Sequence, residues 1–355
     1  MSAAPVPAKP KKKKKARAGG PGLTIPILRA LRPPKERAPS TAAPLTLPPE
    51  GPEADRLAWD GAALDGPRGP ITTAPPRDHE ITVRGKRIVA RRFGPDNAEA
   101  ALIAAHGWGA HGGRWTPLAQ SLAARVAVIA PDLPGYGRSD PPPEDENPIF
   151  AHDAAALAEI ARDAAPRLHL IASGFGAEGA VRAALRFPDR VDSLTLIEPA
   201  AFALLEQAQD PRRMEAHDLA LGVLAMIGFG DAAAASRRMA EFWGGEGAVE
   251  TLTEEARAYL GACAPRAEAE MRALSFRAPG ALLFEDYQRI TAPMLVIYSE
   301  RAPLCLRAAA ARILRAAPAA RLETLQLGRP FLSPLAADGP AARFLEEQLG
   351  RPEAP

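Results

Sequence analysis

Residues 170–177 constrain the fold more than any other stretch of the chain. An apolar run of strand length ends at Ala172, glycines follow at positions 174 and 176, and an alanine-rich stretch of helical length begins directly after them. A strand that passes through a glycine turn straight into a helix is the setting of the nucleophile elbow G-x-S-x-G. Aligned on this turn, Ala172 takes the place of the first glycine, Gly174 that of the serine and Gly176 that of the last glycine. The sequence therefore predicts the backbone of an elbow without its attacking hydroxyl.

Apolar runs of strand length alternate with helical stretches from about His79 onwards. We predict strands at residues 80–83, 87–92, 101–105, 126–130, 168–172, 192–198, 293–298 and 322–327. We predict helices at residues 114–124, 154–163, 178–187 and 336–349, and a helical block from about 200 to 287. This alternation is typical of a parallel sheet with helices on both faces. The predicted fold class is α/β, with a mostly parallel eight-stranded sheet and a helical cap inserted after the sixth strand.

The same pattern divides the chain into four parts. Residues 1–76 contain 16 of the 38 prolines and have too little apolar surface to offset their ordering entropy, so we expect a disordered segment. Residues 77–200 and 289–355 are the two parts of one core domain, and residues 201–288 are the cap.

The first 37 residues, here called the tail, carry eleven lysines and arginines and one acid, Glu36. The tail is therefore +10, and because the whole chain is +2 the remainder is about −8. We favour a solvated, flexible tail. The alternative is that the run Lys11–Lys15 binds an anionic surface such as nucleic acid, a membrane or an acidic protein.

Composition excludes several function classes. The two cysteines, Cys263 and Cys305, have neither metal nor redox spacing, and the six histidines form no H-x-x-x-H motif, so we predict no metal and no cofactor. No apolar run approaches the ~18 residues that a membrane span needs. The N-terminal lysine run has no apolar segment behind it of the kind found in signal peptides. We expect a soluble, cytoplasmic protein.

Four motifs in order carry a resemblance to a known family. They are His-Gly-Trp-Gly at 106–109, Asp-Leu-Pro-Gly-Tyr-Gly-Arg-Ser at 132–139, the turn at Gly174, and Arg-Phe-Pro-Asp-Arg-Val at 186–191. With these motifs the chain resembles the α/β-hydrolase superfamily over roughly residues 78–350. Residues 196–199 and 242–248 resemble one bacterial branch of capped hydrolases.

The resemblance implies an acyl-transfer site with a nucleophile, a base, an acid that orients it, and an oxyanion hole. The donors of the oxyanion hole would be the backbone N–H groups of Trp108 and Phe175, in a loop shaped by His106, Gly107 and Gly109. Backbone donors survive side-chain substitution, so we expect this part to be retained.

The nucleophile position is vacated, because Gly174 stands where the family has serine. Ser173 is the nearest hydroxyl, but it lies one residue earlier on the strand. Side chains alternate across a strand, so Ser173 is expected to point away from the nucleophile position.

The acid and the base are also changed. Ala302 occupies the usual position of the acid after the seventh strand, whereas Glu198, after the sixth, is a candidate surviving acid. Phe331 occupies the position of the catalytic histidine, with Pro330 the next best match. No histidine follows His217, so no shift of the alignment restores a base.

These substitutions favour a non-catalytic hydrolase homologue that keeps a pocket for an unknown small molecule or serves as a scaffold. One alternative is an atypical hydrolase of small ester-like substrates in which Glu198 activates water. Another is a protein tethered to nucleic acid or a membrane by its tail. The fold alone does not decide among these functions.

Overall fold

A computed structural model describes residues 75–145, 147–275, 279–325 and 339–350. Its centre is one eight-stranded sheet with strand order β1-β2-β4-β3-β5-β6-β7-β8. The strands are β1 Arg77–Val83, β2 Lys86–Phe93, β3 Ala100–Ala105, β4 Ala127–Pro131, β5 Arg167–Ser173, β6 Val191–Ile197, β7 Met294–Ser299 and β8 Ala320–Leu325. Strand β2 pairs antiparallel with β1 and with β4, and the remaining neighbours are parallel. The predicted sheet is confirmed.

Helices cover both faces of the sheet and fill the stretch between β6 and β7. They are α1 Thr116–Leu122, α2 Ile149–Ala164, α3 Gly176–Arg186, α4 Phe202–Gln207, α5 Arg213–Gly228, α6 Ala232–Gly244, α7 Glu254–Ala262, α8 Ala264–Ser275, α9 Phe284–Gln288, α10 Leu304–Ala316 and α11 Pro340–Leu349. Helices α4 to α9 all lie between β6 and β7, as the predicted fold class requires.

Side chains on the two faces of the sheet form separate apolar layers. Leu170 and Ala172 of β5 pack on the side of α2, α3 and α10. Ile171 of the same strand and Ile197 of β6 pack on the opposite side, with α1 and α11. This alternation follows from the period of two in a strand. A side chain at the carboxyl end of the sheet is therefore directed to one layer or the other by its position.

Two of the predicted helices show how the observed element boundaries differ from the predicted ones. The predicted helix at 114–124 is a 3-10 turn at Gly112–Trp115 followed by α1, and Pro117 sits in the first turn of α1, where a missing N–H costs no helical hydrogen bond. The predicted helix at 154–163 begins earlier, at Ile149, directly after Pro148. Among the described residues, no helix has the length and apolar character needed to cross a bilayer. The predicted disorder of residues 1–76 falls almost entirely outside the described residues.

Candidate active site

The turn between β5 and α3, residues 172–176 and here called the elbow, has the tight geometry that its sequence predicts. Gly174 has φ +53°, and its N–H donates to the carbonyl of Ile197 at 3.0 Å. A Cβ on Gly176 would lie 2.3 Å from the carbonyl oxygen of His106, so only glycine allows the helix to approach the neighbouring loop this closely.

An aromatic ring of the cap packs against position 174. A Cβ on Gly174 would lie 3.4 Å from Cη2 of Trp243 and 3.6 Å from Cα of Gly107, which are ordinary van der Waals distances. Space for a Cβ therefore exists, and the positive φ is what favours glycine. Trp243 of α6 is buried and stacks edge-on against Phe175, with ring centroids 5.6 Å apart. A cap residue therefore covers the place where a nucleophile would stand.

The side chain of Ser173 lies on the other face of the sheet from position 174. It pairs with Ile197 in the β5–β6 ladder, and it lies two residues after Ile171, whose side chain packs under α1 and α11. By strand alternation its side chain belongs to that layer. The Cβ of residue 174 would point instead to Trp243, which packs in the other layer.

His106 holds the oxyanion loop in shape. Its Nε2 accepts the N–H of Leu133 at 2.9 Å, so Nδ1 carries the proton and donates to the carbonyl of Gly107 at 2.8 Å. Full burial lowers the pKa of His106 to about 3, which keeps the ring neutral. The imidazole therefore connects the loops after β3 and β4 and has no free nitrogen for catalysis.

The two backbone groups expected to form an oxyanion hole remain without acceptors. In the described part of the chain, neither the N–H of Trp108 nor that of Phe175 donates a hydrogen bond to the protein. Gly109, with φ +68°, lets the loop turn directly after Trp108. Phe175 also packs edge-on against Phe202 at 6.5 Å, so aromatic rings surround this part of the site.

Glu198 stands at the end of β6, next to the elbow. It is a non-glycine residue with φ +46°, it is only 3% exposed, and its Oε1 accepts the N–H of Ser299 at 3.2 Å. Burial raises the pKa of Glu198 to about 7, against the opposing effects of the Ser299 hydrogen bonds and of buried Arg114. Burial lowers the pKa of Arg114 to about 10, and the charge of Glu198 counters this shift. A carboxyl held in a strained turn with a pKa near neutrality has the properties of a proton-transfer group.

The other two predicted positions give no catalytic side chain. Ala302 is buried in the turn after β7, where its N–H donates to the carbonyl of Ser299 at 3.1 Å. A methyl group there cannot orient an imidazole. Phe331 and Pro330 lie outside the described residues.

His217 is the last histidine of the chain and lies in the cap. Its Nε2 is 2.5 Å from Oε1 of Glu206, and both line a cavity of about 10 Å³ together with Phe202 and Met271. That volume suits about one water molecule. No group of three or more His, Cys, Asp or Glu within the described ranges is arranged to hold a metal ion.

Glu198→Gln is expected to change how stability depends on pH. In the wild type the folded state binds the Glu198 proton more tightly than the unfolded state, so this stabilisation is complete below pH about 4.5 and is lost as pH rises towards 7. Glutamine mimics the protonated carboxyl and still accepts from Ser299. The variant should therefore gain about 3 kcal/mol in unfolding free energy relative to wild type between pH 4.5 and 8, measured by urea titration. An unchanged difference across this range would show that folding does not raise the pKa of Glu198.

Sequence reasoning missed two parts of this site. Nothing in the chain near Arg114 marks it as the charge that faces Glu198. The sequence marks Trp243 only as part of the cap motif at residues 242–248. Its contact with position 174 depends on how the cap packs against the core.

Part of the chain is similar to known proteins. Residues 100–226 match the family model described as alpha/beta hydrolase fold. An uncharacterized protein of Mycobacterium tuberculosis is 34% identical over 129 residues, which are 35% of this chain and 35% of that protein. A pimeloyl-[acyl-carrier protein] methyl ester esterase of Nitrosomonas europaea is 30% identical over 129 residues, which are 36% of this chain and 46% of that enzyme. The chain thus matches less than half the length of these relatives.

Solved structures match a larger part of the chain. A 2-hydroxy-6-oxo-6-phenylhexa-2,4-dienoate hydrolase from Rhodococcus has a TM-score of 0.59 and 16% identity, with 78% of this chain and 99% of that chain covered. A carboxylesterase from Bacillus subtilis has a TM-score of 0.58 and 18% identity, with 78% and 93% covered. At these identities the likeness shows the fold.

Proposed function

We propose that this chain, which has the α/β-hydrolase fold, is a non-catalytic homologue that uses the space between its cap and its elbow to bind a small molecule or to serve as a scaffold. The observation that carries the proposal is Gly174, which holds the nucleophile position at φ +53° beneath the ring of Trp243. The relatives named above include an esterase and a hydrolase, and acyl transfer in this fold needs a nucleophile and a histidine base. Gly174 at the aligned position of the serine, and the lack of any histidine after His217, support the proposal.

The apolar surroundings of the elbow define the class of ligand. Trp108, Phe175, Phe202 and Trp243 are all buried at or beside it, and Glu198 is the ionisable group at its edge. Such a site favours a small apolar or aromatic molecule with at most one hydrogen-bonding group. The two unpartnered backbone N–H groups, of Trp108 and Phe175, would donate hydrogen bonds to a carbonyl oxygen of that molecule.

Native mass spectrometry of the full chain, purified from its own cells, is the experiment that tests ligand binding. We expect a fraction of the protein to carry a small molecule that is released by mild activation. Gly174→Leu, which places a side chain against Trp243, should reduce that fraction at least tenfold. If both proteins carry nothing and also bind no added apolar compound, the ligand-binding role is excluded and the scaffold role remains.

A second candidate function rests on the raised pKa of Glu198. With a pKa of about 7, the ionised Glu198 carboxylate could take a proton from a water molecule as the water oxygen attacks the carbonyl carbon of an ester bound against the N–H groups of Trp108 and Phe175. The bond from that carbon to the alkoxide oxygen would then break, and Glu198 would give the proton to the leaving alkoxide. Turnover by this route would rise with pH through about 7 and would disappear in Glu198→Gln. No covalent acyl intermediate would form.

We also propose that the tail attaches the protein to an anionic surface. Each lysine of the run Lys11–Lys15 would contribute about 1 kcal/mol next to an anionic membrane. We expect the full chain to bind vesicles that contain phosphatidylserine, and 500 mM NaCl to weaken that binding at least tenfold, because salt screens exposed charges. Substitution of the five lysines by glutamine should abolish binding. A variant that binds as well as wild type would refute attachment through this run.

A further inference from the structure

A surface groove lies away from the elbow, on the side of the sheet covered by α2 and α3. Its walls are these two helices, the turn between β1 and β2, and residues 280–289, and its volume is about 820 Å³. The floor is formed by small side chains of α2, among them Ala151, Ala155 and Ala158. Because these side chains end at Cβ, the helix leaves a channel that longer residues would fill.

Arginines dominate the rim of this groove. Arg84, Arg162, Arg182, Arg186 and Arg289 line it, whereas the lining carboxylates are only two, Glu159 and Asp286. Arg162 pairs with Glu159, Arg289 pairs with Asp286, and Arg182 pairs with buried Glu178 behind the groove. Within the described residues, Arg84 and Arg186 form no ion pair.

Arg84 and Arg186 are both exposed, and they line the groove from different elements. Arg84 stands at the tip of the β1–β2 turn with φ +49°, and Arg186 ends α3. Two unneutralised guanidinium groups that face one channel create a positive potential there, and guanidinium binds carboxylates in bidentate geometry. The groove therefore fits an occupant with several carboxylates and some apolar side chains.

The chain itself contains such an occupant. Residues 50–65 carry five acids, Glu50, Glu53, Asp55, Asp60 and Asp65, and one arginine, so the segment has a net charge of −4. Between these acids stand three large apolar residues, Leu57, Trp59 and Leu64. The acids of residues 50–65 therefore complement the arginines at the rim of the groove, and the apolar side chains of this segment complement the alanines of its floor.

The length of chain between this segment and the groove allows contact. The described structure begins at Pro75, and β1 runs from Arg77 to Val83, whose side chain lines the groove. Seven residues of strand are about 20 Å long. The ten residues from Asp65 to Pro75 reach up to about 35 Å when extended. The segment can thus return along β1 to the groove of its own chain.

We propose that residues 50–65 dock in the arginine-lined groove of the same molecule, with Trp59 against the alanine floor and the acids paired with Arg84 and Arg186. Docking anchors the chain beside α2 and α3, so that the tail extends from this face and not from the elbow. The contact is electrostatic in part and weakens at high salt.

Fluorine NMR of the full chain labelled with 5-fluorotryptophan tests this proposal. The protein has four tryptophans, and Trp59→Phe identifies the resonance of residue 59. We expect this resonance to be shifted from that of a free peptide of residues 50–65, and to show a reduced solvent isotope shift in D₂O. In Arg84→Glu/Arg186→Glu it should move to the free-peptide position, while the other three resonances stay in place and so report an intact fold.

A charge-matched control isolates the groove. Arg125→Glu/Arg257→Glu changes the net charge equally at exposed positions outside the groove and should leave the Trp59 resonance unchanged. The proposal is overturned if Trp59 in the wild type already has the free-peptide shift, or if the groove variant leaves a shifted resonance in place. If the Trp59 resonance is shifted at a protein concentration of 500 μM but not at 20 μM, the segment binds a second copy of the chain. That result would also overturn the proposal.

Discussion

Arg266→Met is expected to lower the free energy of unfolding by about 3–5 kcal/mol, because it leaves two buried carboxylates without their cation. Arg266 of α8 is buried beneath the cap, where its Nε donates to Glu270 at 3.0 Å, its Nη1 donates to the carbonyl of Pro134 at 2.8 Å, and its Nη2 donates to Asp153. Tyr136 adds a hydrogen bond to Glu270 at 2.8 Å. Burial raises the pKa of Glu270 to about 7, which shows how costly an ionised carboxyl is at this place.

The triple variant Arg266→Met/Asp153→Asn/Glu270→Gln separates charge from packing. Removal of both carboxylates should recover at least half of the lost stability, since no unpaired charge then remains buried. Arg257→Met, at an exposed position of α7, serves as the control and should change stability by less than about 0.5 kcal/mol. The free energy of unfolding of all three variants is measured by urea titration at pH 8, which favours ionisation of the Asp153 and Glu270 carboxyls. A loss below 1 kcal/mol in Arg266→Met would mean that water reaches this network.

Trp243→Ala should cost about 3–5 kcal/mol and open a cavity directly above Gly174. The indole is 4% exposed and contacts position 174, Phe175 and Phe242. An engineered apolar cavity of this kind binds small aromatic molecules. With indole or benzene at millimolar concentration, the thermal midpoint of the variant should therefore rise more than that of the wild type.

Trp243→Phe is the matched control for this prediction. Phenylalanine retains an aromatic ring in the same place, so we expect a smaller loss of stability and little response to indole. Equal losses in the alanine and phenylalanine variants would indicate that the Trp243 ring is not what fills the space over the elbow.

Much of the fold and part of the site could be predicted from the sequence. The alternation of short apolar runs with helical stretches predicted the sheet, because strands that are buried on both faces need continuous apolar runs such as residues 101–105. The elbow could be located from Gly174 and Gly176 because backbone geometry dictates glycine at such turns. That no histidine follows His217 could be counted directly from the sequence.

Long-range contacts could not be predicted in the same way. The packing of Trp243 on position 174 and the approach of Arg114 to Glu198 both join elements that are distant in sequence. The raised pKa of Glu198 depends on its burial, which a strand-end glutamate does not reveal. The sequence places His106 in the oxyanion loop without indicating what its ring does. Its two hydrogen bonds show that the ring shapes the loop and does not exchange protons with a ligand.

The central claim is that the elbow retains a backbone without triad chemistry. The most direct measurement is hydrolysis of p-nitrophenyl butyrate by the purified full chain from pH 6 to 9, alongside Glu198→Gln, with intact-mass analysis after treatment with a fluorophosphonate. We expect equal background rates for both proteins and no added mass. A rate that exceeds background and disappears in Glu198→Gln, or an adduct mapped to Ser173, would contradict the claim.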